Sequence, residues 1–286
     1  MIDLHVHTIY SDGEYTPSKI LHKCKEKNIT VVSITDHNSL EGCKQAILQN
    51  PYKDITVISG VEFGAIYPVR GGQLHILGYN IDLDNQALND VTKAIMQDNI
   101  KRVELLIFLL KKHYNILFAN EDIEEIFNSV GNIGRPEVAK LCVKYGYTKT
   151  VHEAFKKYFE PIHHKLAKRR AELTDKECIE YIRNAGGIAC LAHPIELKQD
   201  IAQLRKYILT LISYGLEAVE VYQSKHTLDY SNELLNIVNE YGLLYSVGSD
   251  YHGPIVNPNI EIGYGKNNNL CMDNASILSR ILEGNS

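Results

Sequence analysis

Residues 29–35, ITVVSIT, form a short run in which apolar and β-branched side chains follow one another almost without interruption. Such a run is typical of a strand covered on both faces, because a strand with one wet face alternates apolar and polar residues. A helical pattern precedes it: Thr16 and Pro17 are typical of a helix start, and Ile20 and Leu21 fall on its apolar face. A buried strand between helices predicts an α/β fold.

The same alternation continues along most of the chain. Six or seven apolar runs with strand character are separated by segments with helical spacing. Because the connections are helical, we predict a mainly parallel sheet or barrel. The strand-like runs are MIDLHVH (1–7), ITVVSIT (29–35), ITVISGVEFGA (55–65), GGQLHILGYNI (71–81), GGIACLA (186–192), GLEAVEVYQS (215–224) and GLLYSVGSD (242–250).

The strand signals stop between residues 89 and 171. In residues 94–113 the apolar side chains recur at the three- and four-residue spacing of a helix, and further helical segments follow. We therefore predict two domains. Residues 1–88 and 172–286 form a discontinuous α/β barrel domain, and residues 89–171 form a helical insertion domain.

The composition limits the function classes. A formal net charge of -5 over 286 residues argues against a general nucleic-acid coat protein. None of the six cysteines forms a C-x-x-C pair, which argues against a cysteine zinc site or a redox motif. With no secretory signal and no apolar run of membrane-spanning length, we expect a cytoplasmic protein with reduced cysteines and no membrane partner.

Ionisable side chains stand at the ends of the predicted strands. Residues i and i+2 of a strand share a face, so His5 and His7 point the same way, as do Asp250 and His252. Sites in parallel α/β folds form at the carboxyl ends of strands. Burying so many ionisable groups without a cation costs several kcal/mol, so a metal cluster is the better explanation. Further residues of this kind are Asp36, His37, Glu62, His75 and His193.

An ordered set of motifs resembles the PHP (polymerase and histidinol phosphatase) superfamily of metal-dependent phosphoesterases. The motifs are HVHTIYSDG, ITDHN, GVEF, LHILGY, IGRPEVA, LAHP and GSDYHG, and they extend over essentially the whole chain. The arrangement is most similar to the bacterial branch that hydrolyses nucleoside 3',5'-bisphosphates and short RNA 5' ends, the RNase AM-like branch. The resemblance implies a distorted (β/α)7 barrel with three divalent metal ions at its mouth.

The resemblance also implies roles for individual residues. Arg135 is expected to bind phosphate, and with His193 and Asp250 it forms the expected catalytic set. The nitrogen and oxygen ligands suit Mn, Zn or Fe without choosing among them. The implied metal ligands are His5, His7, Glu62 and Asp250 for one ion, Glu62, His75 and His193 for a second, and Asp12, His37 and His252 for the third.

Two residues depart from the family pattern. Glu137 stands where the family often has a histidine, and we expect its carboxylate to point away from substrate phosphate or to meet a positive group. Asn38 stands where the family often has an aspartate, and we do not expect it to be a ligand.

Several other residues have less certain roles. Asp36 fits equally well a support for a ligand histidine and a helix N-cap. Lys225 and His226 follow a strand and are candidates for contact with substrate, with His226 retained as a substrate-binding prediction, whereas Glu220 is expected to be structural. The basic segment 163–170 fits either a phosphate-binding rim or a solvated surface.

The predicted chemistry is hydrolysis of a phosphomonoester by a metal-activated hydroxide. The predicted substrate is the 3'-phosphate of a nucleoside 3',5'-bisphosphate, with short RNA or DNA ends as further partners and inorganic phosphate as a product. A histidinol-phosphate phosphatase is the alternative, and a catalytically decayed metal-binding module is a more distant one.

Overall fold

The computed structural model describes residues 1–69, 71–131, 133–162, 165–166 and 171–283. The chain divides into two compact units, one formed by Met1–Asp90 with Leu173–Ser286 and the other by Val91–Glu172. The predicted strands all belong to the first unit. That residues 89–171 constitute an independent domain stays a prediction.

The strands of the first unit form two main sheets. One has the order β1-β2-β3 and is parallel, and the other has the order β4-β5-β6-β7-β8. Within the second sheet β5 runs antiparallel to both neighbours, while β6, β7 and β8 are parallel. The strands are β1 (Ile2–Val6), β2 (Val31–Ile34), β3 (Thr56–Ile58), β4 (Gly60–Ala65), β5 (Leu74–Tyr79), β6 (Ile188–Leu191), β7 (Ala218–Gln223), β8 (Leu244–Gly248), β9 (Ile260–Glu261) and β10 (Gly265–Lys266).

The run at residues 55–65, predicted as one strand, is two. Its first part pairs in the first sheet and its second part in the other, so the chain changes sheets at Ser59. Gly60 allows this crossing, because a Cβ there would lie 2.3 Å from Ser33 Oγ.

Two isolated β-bridges link the first sheet to the second. Val6 bridges to Tyr251 after β8, and His37 after β2 bridges to Glu62 in β4. The predicted α/β fold is therefore confirmed. The described strands pair as two sheets, and their closure into a seven-stranded barrel stays a prediction.

The helices begin where the sequence offers capping groups. Thr16 Oγ1 accepts a hydrogen bond from the Lys19 N–H at the start of α1, and Thr174 and Glu177 form a capping box at the start of α8. A π-helical stretch, Phe155–Phe159, lies between α6 and α7. The helices are α1 (Pro17–Glu26), α2 (Glu41–Gln49), α3 (Gln86–Tyr114), α4 (Asn120–Phe127), α5 (Arg135–Lys144), α6 (Val151–Ala154), α7 (Glu160–Ile162), α8 (Asp175–Asn184), α9 (Ile201–Tyr214), α10 (Leu228–Tyr241) and α11 (Ser276–Glu283).

Apolar packing against the sheets fixes the positions of the strand ends. Ile20 and Leu21 of α1 are fully buried in a cluster with Val32 and Ile34 of β2, which confirms the predicted apolar face of that helix. Burial of each such side chain contributes about 1.5–3 kcal/mol. The strand ends are therefore held by a rigid core, and the side chains that follow them are placed with little freedom.

The helical unit has its own core. Val103, Leu106 and Leu110 of α3 are buried against Val138 of α5. Met96, which lies in the apolar pattern predicted for residues 94–113, is 37% exposed.

Among the described residues, no helix combines the length and the apolar character needed to span a membrane. A cytoplasmic location stays a prediction.

Candidate metal centre and active site

The first strand and the residue that follows it carry two histidines to the same side of the sheet. The side chains of Leu4 and Val6 of β1 enter apolar clusters, while His5 in β1 and His7 directly after it occupy the alternate positions. Both imidazoles are fully buried, and their ring centroids are 5.2 Å apart. The alternation expected from the sequence therefore places both rings on the side of β1 where Glu62 of β4 lies within 3.3 Å of them.

The carboxylate of Glu62 lies at the centre of a ring of histidines. Glu62 is fully buried in β4, and its backbone forms a β-bridge with His37. Its Oε1 lies 3.0 Å from His75 Nδ1 and 2.9 Å from His193 Nε2. Its Oε2 lies 3.0 Å from His37 Nδ1, 3.2 Å from His7 Nε2 and 3.3 Å from His5 Nε2.

Two aspartates extend the cluster on the side of β8. Asp250 Oδ1 lies 3.3 Å from His7 Nε2 and 3.4 Å from His252 Nδ1. Asp12 Oδ1 lies 3.3 Å from His252 Nε2, and its Oδ2 lies 3.9 Å from His37 Nε2. The side chain of Asp12 is 47% exposed, so this edge of the cluster faces solvent.

All nine residues predicted as metal ligands thus lie in one cluster. Their donor atoms form four overlapping groups in which every ligand atom lies within 4.8 Å of the others. The groups are His7, Asp12, His37 and His252; His5, His7 and Asp250; His5, Glu62 and His193; and His37, Glu62 and His75.

The donor atoms fit a bound cation. Among the described residues, His5 Nε2, His7 Nε2 and Glu62 Oε2 are buried and have no hydrogen-bond partner, although they lie close together. A buried polar atom without a hydrogen bond is costly. A divalent ion coordinated by these atoms would remove that cost, and imidazole nitrogen with carboxylate oxygen is a common donor set for transition metals.

The charges of the cluster also favour cations. Burial lowers the pKa of His37, but the carboxylates of Glu62 and Asp12 outweigh burial and raise that pKa to about 10. Burial raises the pKa of Glu62, but the surrounding histidines hold it well below its usual range. For His75 burial prevails and lowers the pKa to about 4. The field of the carboxylates therefore supports positive charge at their centre.

Asp36 holds the loop that follows β1. Its carboxylate accepts hydrogen bonds from the Thr8 N–H at 2.7 Å, the Thr8 hydroxyl at 2.7 Å and the Ser11 hydroxyl at 2.6 Å. The Ser11 hydroxyl also lies 3.3 Å from His7 Nδ1. The N-cap of α2 is Leu40, so the N-cap alternative for Asp36 is wrong. Asp36 therefore contacts the Ser11 hydroxyl that lies beside His7, and its role as a support for a ligand histidine stays a prediction.

Asp3 was not recognised from the sequence, because a carboxylate in a strand gives no local sign of its partners. It is fully buried and accepts hydrogen bonds from the Ser249 N–H at 2.9 Å, the Ser249 hydroxyl at 2.6 Å and the Gly263 N–H at 2.7 Å. These bonds fix the segment that carries Asp250, whose φ of 58° is in the left-handed region.

The end of β7 lies beside the cluster. Gln223 donates a hydrogen bond from Nε2 to Asp250 Oδ2 at 3.3 Å, and Lys225 Nζ lies 2.9 Å from Glu196 Oε1. His226 is buried, and its Nδ1 lies 2.8 Å from the Val221 carbonyl oxygen. Contact of His226 with substrate stays a prediction.

Arg135 and Glu137, the two residues of the helical segment discussed above, lie in the second unit. Arg135 is the first residue of α5, and its guanidinium lies 5.4 Å from the ring centroid of Phe155. Glu137 accepts the Gly134 N–H at 2.9 Å and lies 3.6 Å from Lys140 Nζ. Glu137 thus caps its own helix and meets a positive group. Most of the basic segment 163–170 lies outside the described residues.

Comparisons with known proteins show which family the chain resembles. The family model described as "PHP domain" matches residues 3–184. A 5'-3' exoribonuclease from Haemophilus influenzae is 29% identical over 88% of this chain and 90% of its own length. A 3',5'-nucleoside bisphosphate phosphatase from Chromobacterium violaceum is 26% identical over 88% of this chain and 87% of its own length.

Solved structures share the fold. A Bifidobacterium adolescentis protein superimposes with a TM-score of 0.74 at 23% identity, covering 98% of this chain and 94% of the other. An amidohydrolase from Chromobacterium violaceum, solved with sulfate and without metal, gives a TM-score of 0.71 at 25% identity and 88% coverage of both chains. Since the family model matches more than half of the chain, this chain belongs to the PHP domain family and is one of its phosphoester hydrolases.

Proposed function

We propose that the nine clustered side chains bind up to three divalent metal ions, and that the protein is a metal-dependent phosphoesterase. The observation that carries this proposal is the set of buried donor atoms without hydrogen bonds around Glu62. The proposed distribution is His5, His7, Glu62 and Asp250 for the first ion, Glu62, His75 and His193 for the second, and Asp12, His37 and His252 for the third.

The bound ions would lower the pKa of a water molecule and neutralise charge on the phosphate under attack. The side chains hold this centre rigidly, since Asp3 and Asp36 fix the segments on both sides of it. Lys225 follows β7 by two residues; its backbone N–H donates to Gln223 Oε1, and Gln223 Nε2 in turn donates to Asp250 Oδ2. With three carboxylates for three dications, the loaded site is positive and attracts a phosphate group.

A covalent intermediate on a cysteine is not part of this proposal. Burial raises the pKa of Cys43 to about 12 and that of Cys142 to about 11, so both thiols stay protonated at neutral pH. Cys190 is fully buried in β6, and burial holds its pKa well above the usual range. Hydrolysis by water rather than by a protein nucleophile fits this environment.

The proposed substrate is the 3'-phosphate of a nucleoside 3',5'-bisphosphate. Support comes from the Chromobacterium violaceum relative, which is named for that activity, and from the sulfate in a related structure, because sulfate has the shape and charge of phosphate. We propose that Arg135 binds the second phosphate, since a guanidinium forms bidentate hydrogen bonds with phosphate oxygens.

Degradation of short RNA from its 5' end is a second candidate. The exoribonuclease from Haemophilus influenzae is 29% identical to this chain, and that from Salmonella typhimurium is 28% identical. Both reactions need the same chemistry, hydrolysis of a phosphoester at a nucleotide, so one metal centre serves either.

A substrate panel tests the proposal. Purified enzyme supplied with Mn²⁺ is assayed for kcat/KM on adenosine 3',5'-bisphosphate, a 5'-phosphorylated RNA trimer, histidinol phosphate and p-nitrophenyl phosphate. We expect the bisphosphate to be the preferred substrate, with release of the 3'-phosphate, and the RNA to be cleaved more slowly. A preference for histidinol phosphate over both nucleotide substrates would contradict the nucleotide assignment and support the alternative.

A further inference from the structure

A carboxylate stands in β7, an interior strand of the five-stranded sheet. Glu220 is fully buried, and so are Val219 and Val221 on either side of it. A charged side chain in such a position is unfavourable unless hydrogen bonds compensate for the lost water. The partners of Glu220 therefore indicate what the residue does.

Glu220 connects two members of the metal cluster. Its Oε1 lies 2.9 Å from His5 Nδ1, and its Oε2 accepts the backbone N–H of His193 at 2.7 Å. The two bonds use both oxygens of the carboxylate. They also join β1 to the segment after β6 through a strand that contributes none of the nine clustered residues.

The first bond determines which nitrogen of His5 can bind a cation. A carboxylate only accepts hydrogen bonds, so His5 Nδ1 must carry the proton and Nε2 keeps its lone pair. His5 Nε2 is the atom that lies 3.3 Å from Glu62 Oε2 and 3.6 Å from Asp250 Oδ1. Glu220 thus turns the ligating nitrogen towards the cluster.

The second bond holds an uncommon backbone conformation. His193 has a φ of 24° and a ψ of 66°, outside the main allowed regions for a residue with a side chain. Such a conformation costs about 1–3 kcal/mol and persists only where its surroundings enforce it. The hydrogen bond from the His193 N–H to Glu220 is one such constraint, and it directs His193 Nε2 to within 2.9 Å of Glu62 Oε1.

The packing around the pair is an independent indication. A Cβ at Gly248 of β8 would lie 2.2 Å from His5 Cβ and 2.9 Å from Glu220 Oε1. The backbone of β8 at Gly248 therefore packs in direct contact with the His5–Glu220 pair. This leaves the imidazole and the carboxylate little room for another arrangement.

We propose that Glu220 is a positioning residue of the metal centre, fixing the tautomer of His5 and the backbone of His193 at once. This inference rests on the proposed function, because it takes His5 and His193 to be metal ligands. Supports of this kind around metal-bound histidines typically change metal affinity by about 10- to 100-fold when they are removed.

The test combines metal affinity with the tautomer of His5. In Glu220→Gln the side chain has only one carbonyl oxygen, so it can accept only one of the two N–H groups. We expect Zn²⁺ binding, measured by competition with a chelator, to weaken by about 10- to 100-fold. Glu217→Gln is the matched control, because Glu217 lies just before β7 and pairs with Arg280 at 2.8 Å, and it should keep wild-type affinity.

Nuclear magnetic resonance of the zinc-loaded wild-type protein, labelled with ¹⁵N in histidine, supplies the second measurement. We expect His5 to carry its proton on Nδ1. A proton on Nε2, or a Glu220→Gln affinity within twofold of wild type, would overturn the inference while leaving the metal centre in place. If Glu220→Gln does not fold, the position of the proton on His5 in the wild-type protein decides between the inference and its rejection. Wild-type protein that binds none of Zn²⁺, Mn²⁺ and Fe²⁺ would overturn the proposed function itself.

Discussion

Glu62 is the side chain on which the geometry of the cluster depends most. Both of its oxygens face histidines, and it stands in β4, where it bridges to His37 in the segment after β2. Its single negative charge would be shared by the two cations that it is proposed to bind.

Glu62→Gln therefore tests the cluster at the scale of one residue. The amide keeps the volume but removes the charge, so metal binding should weaken and kcat should fall by at least about 100-fold, since a bound metal supplies several kcal/mol to such reactions. Metal content and kcat of the folded variant are the measurements. Glu41→Gln, in the exposed first turn of α2, is the control and should behave as wild type. Full metal content with near-normal kcat would exclude Glu62 from the centre.

At the scale of elements, local signals predicted some connections and missed others. The eight residues between β4 and β5 are too few for the crossover of a dozen or more that a parallel pair requires, so β5 runs antiparallel. The segment RGG at residues 70–72 is typical of a hairpin turn, which agrees with the antiparallel pairing of β4 and β5. The separation of β3 from β4 at Ser59 depends on contacts with Ser33 and Thr35, which no local pattern reveals.

The start of α5 offers a test at this scale. Glu137→Ala removes the acceptor for the Gly134 N–H and the partner of Lys140, so the free energy of unfolding of the helical unit should fall by about 1 kcal/mol. Chemical denaturation followed by circular dichroism measures it, with Glu104→Ala on the exposed side of α3 as the control. We expect kcat/KM to change less than threefold. A large loss of activity at unchanged stability would mean that Glu137 acts on substrate instead of capping its helix.

At the scale of the whole molecule, eight of the nine clustered residues could be located from the sequence because each stands at or near a predicted strand end, where side-chain direction is regular. Asp12, the ninth, was named only through the family resemblance. Of the residues that contact this cluster, Asp36 was named from the sequence as one of two alternatives, but Asp3 and the partners of Glu220 were not found. Asp3 bonds to Ser249 and Gly263, and Glu220 bonds to His5, more than 200 residues away in each case. These contacts form only when the strands assemble. The sequence alone shows a carboxylate in a predicted strand and does not show its partners.

Arg135 tests how the whole molecule recognises its substrate. If its guanidinium binds the second phosphate, Arg135→Ala should raise KM for adenosine 3',5'-bisphosphate by about 10-fold or more, in line with the roughly 1.5–3 kcal/mol of a hydrogen bond to a charged group. The KM for p-nitrophenyl phosphate should stay within about twofold.

Lys140→Ala, on the same helix and exposed, is the matched control for Arg135. Equal losses of kcat/KM on both substrates would place Arg135 at the phosphate that is cleaved. No effect on either substrate would remove it from the site.

Metal removal tests the central claim most directly. The protein is stripped with a strong chelator, its metal content is measured, and phosphate release from adenosine 3',5'-bisphosphate is followed before and after titration with Mn²⁺. We predict that the stripped protein is inactive and that activity returns as two to three ions bind per chain. Undiminished hydrolysis by protein shown to be free of metal would contradict the account.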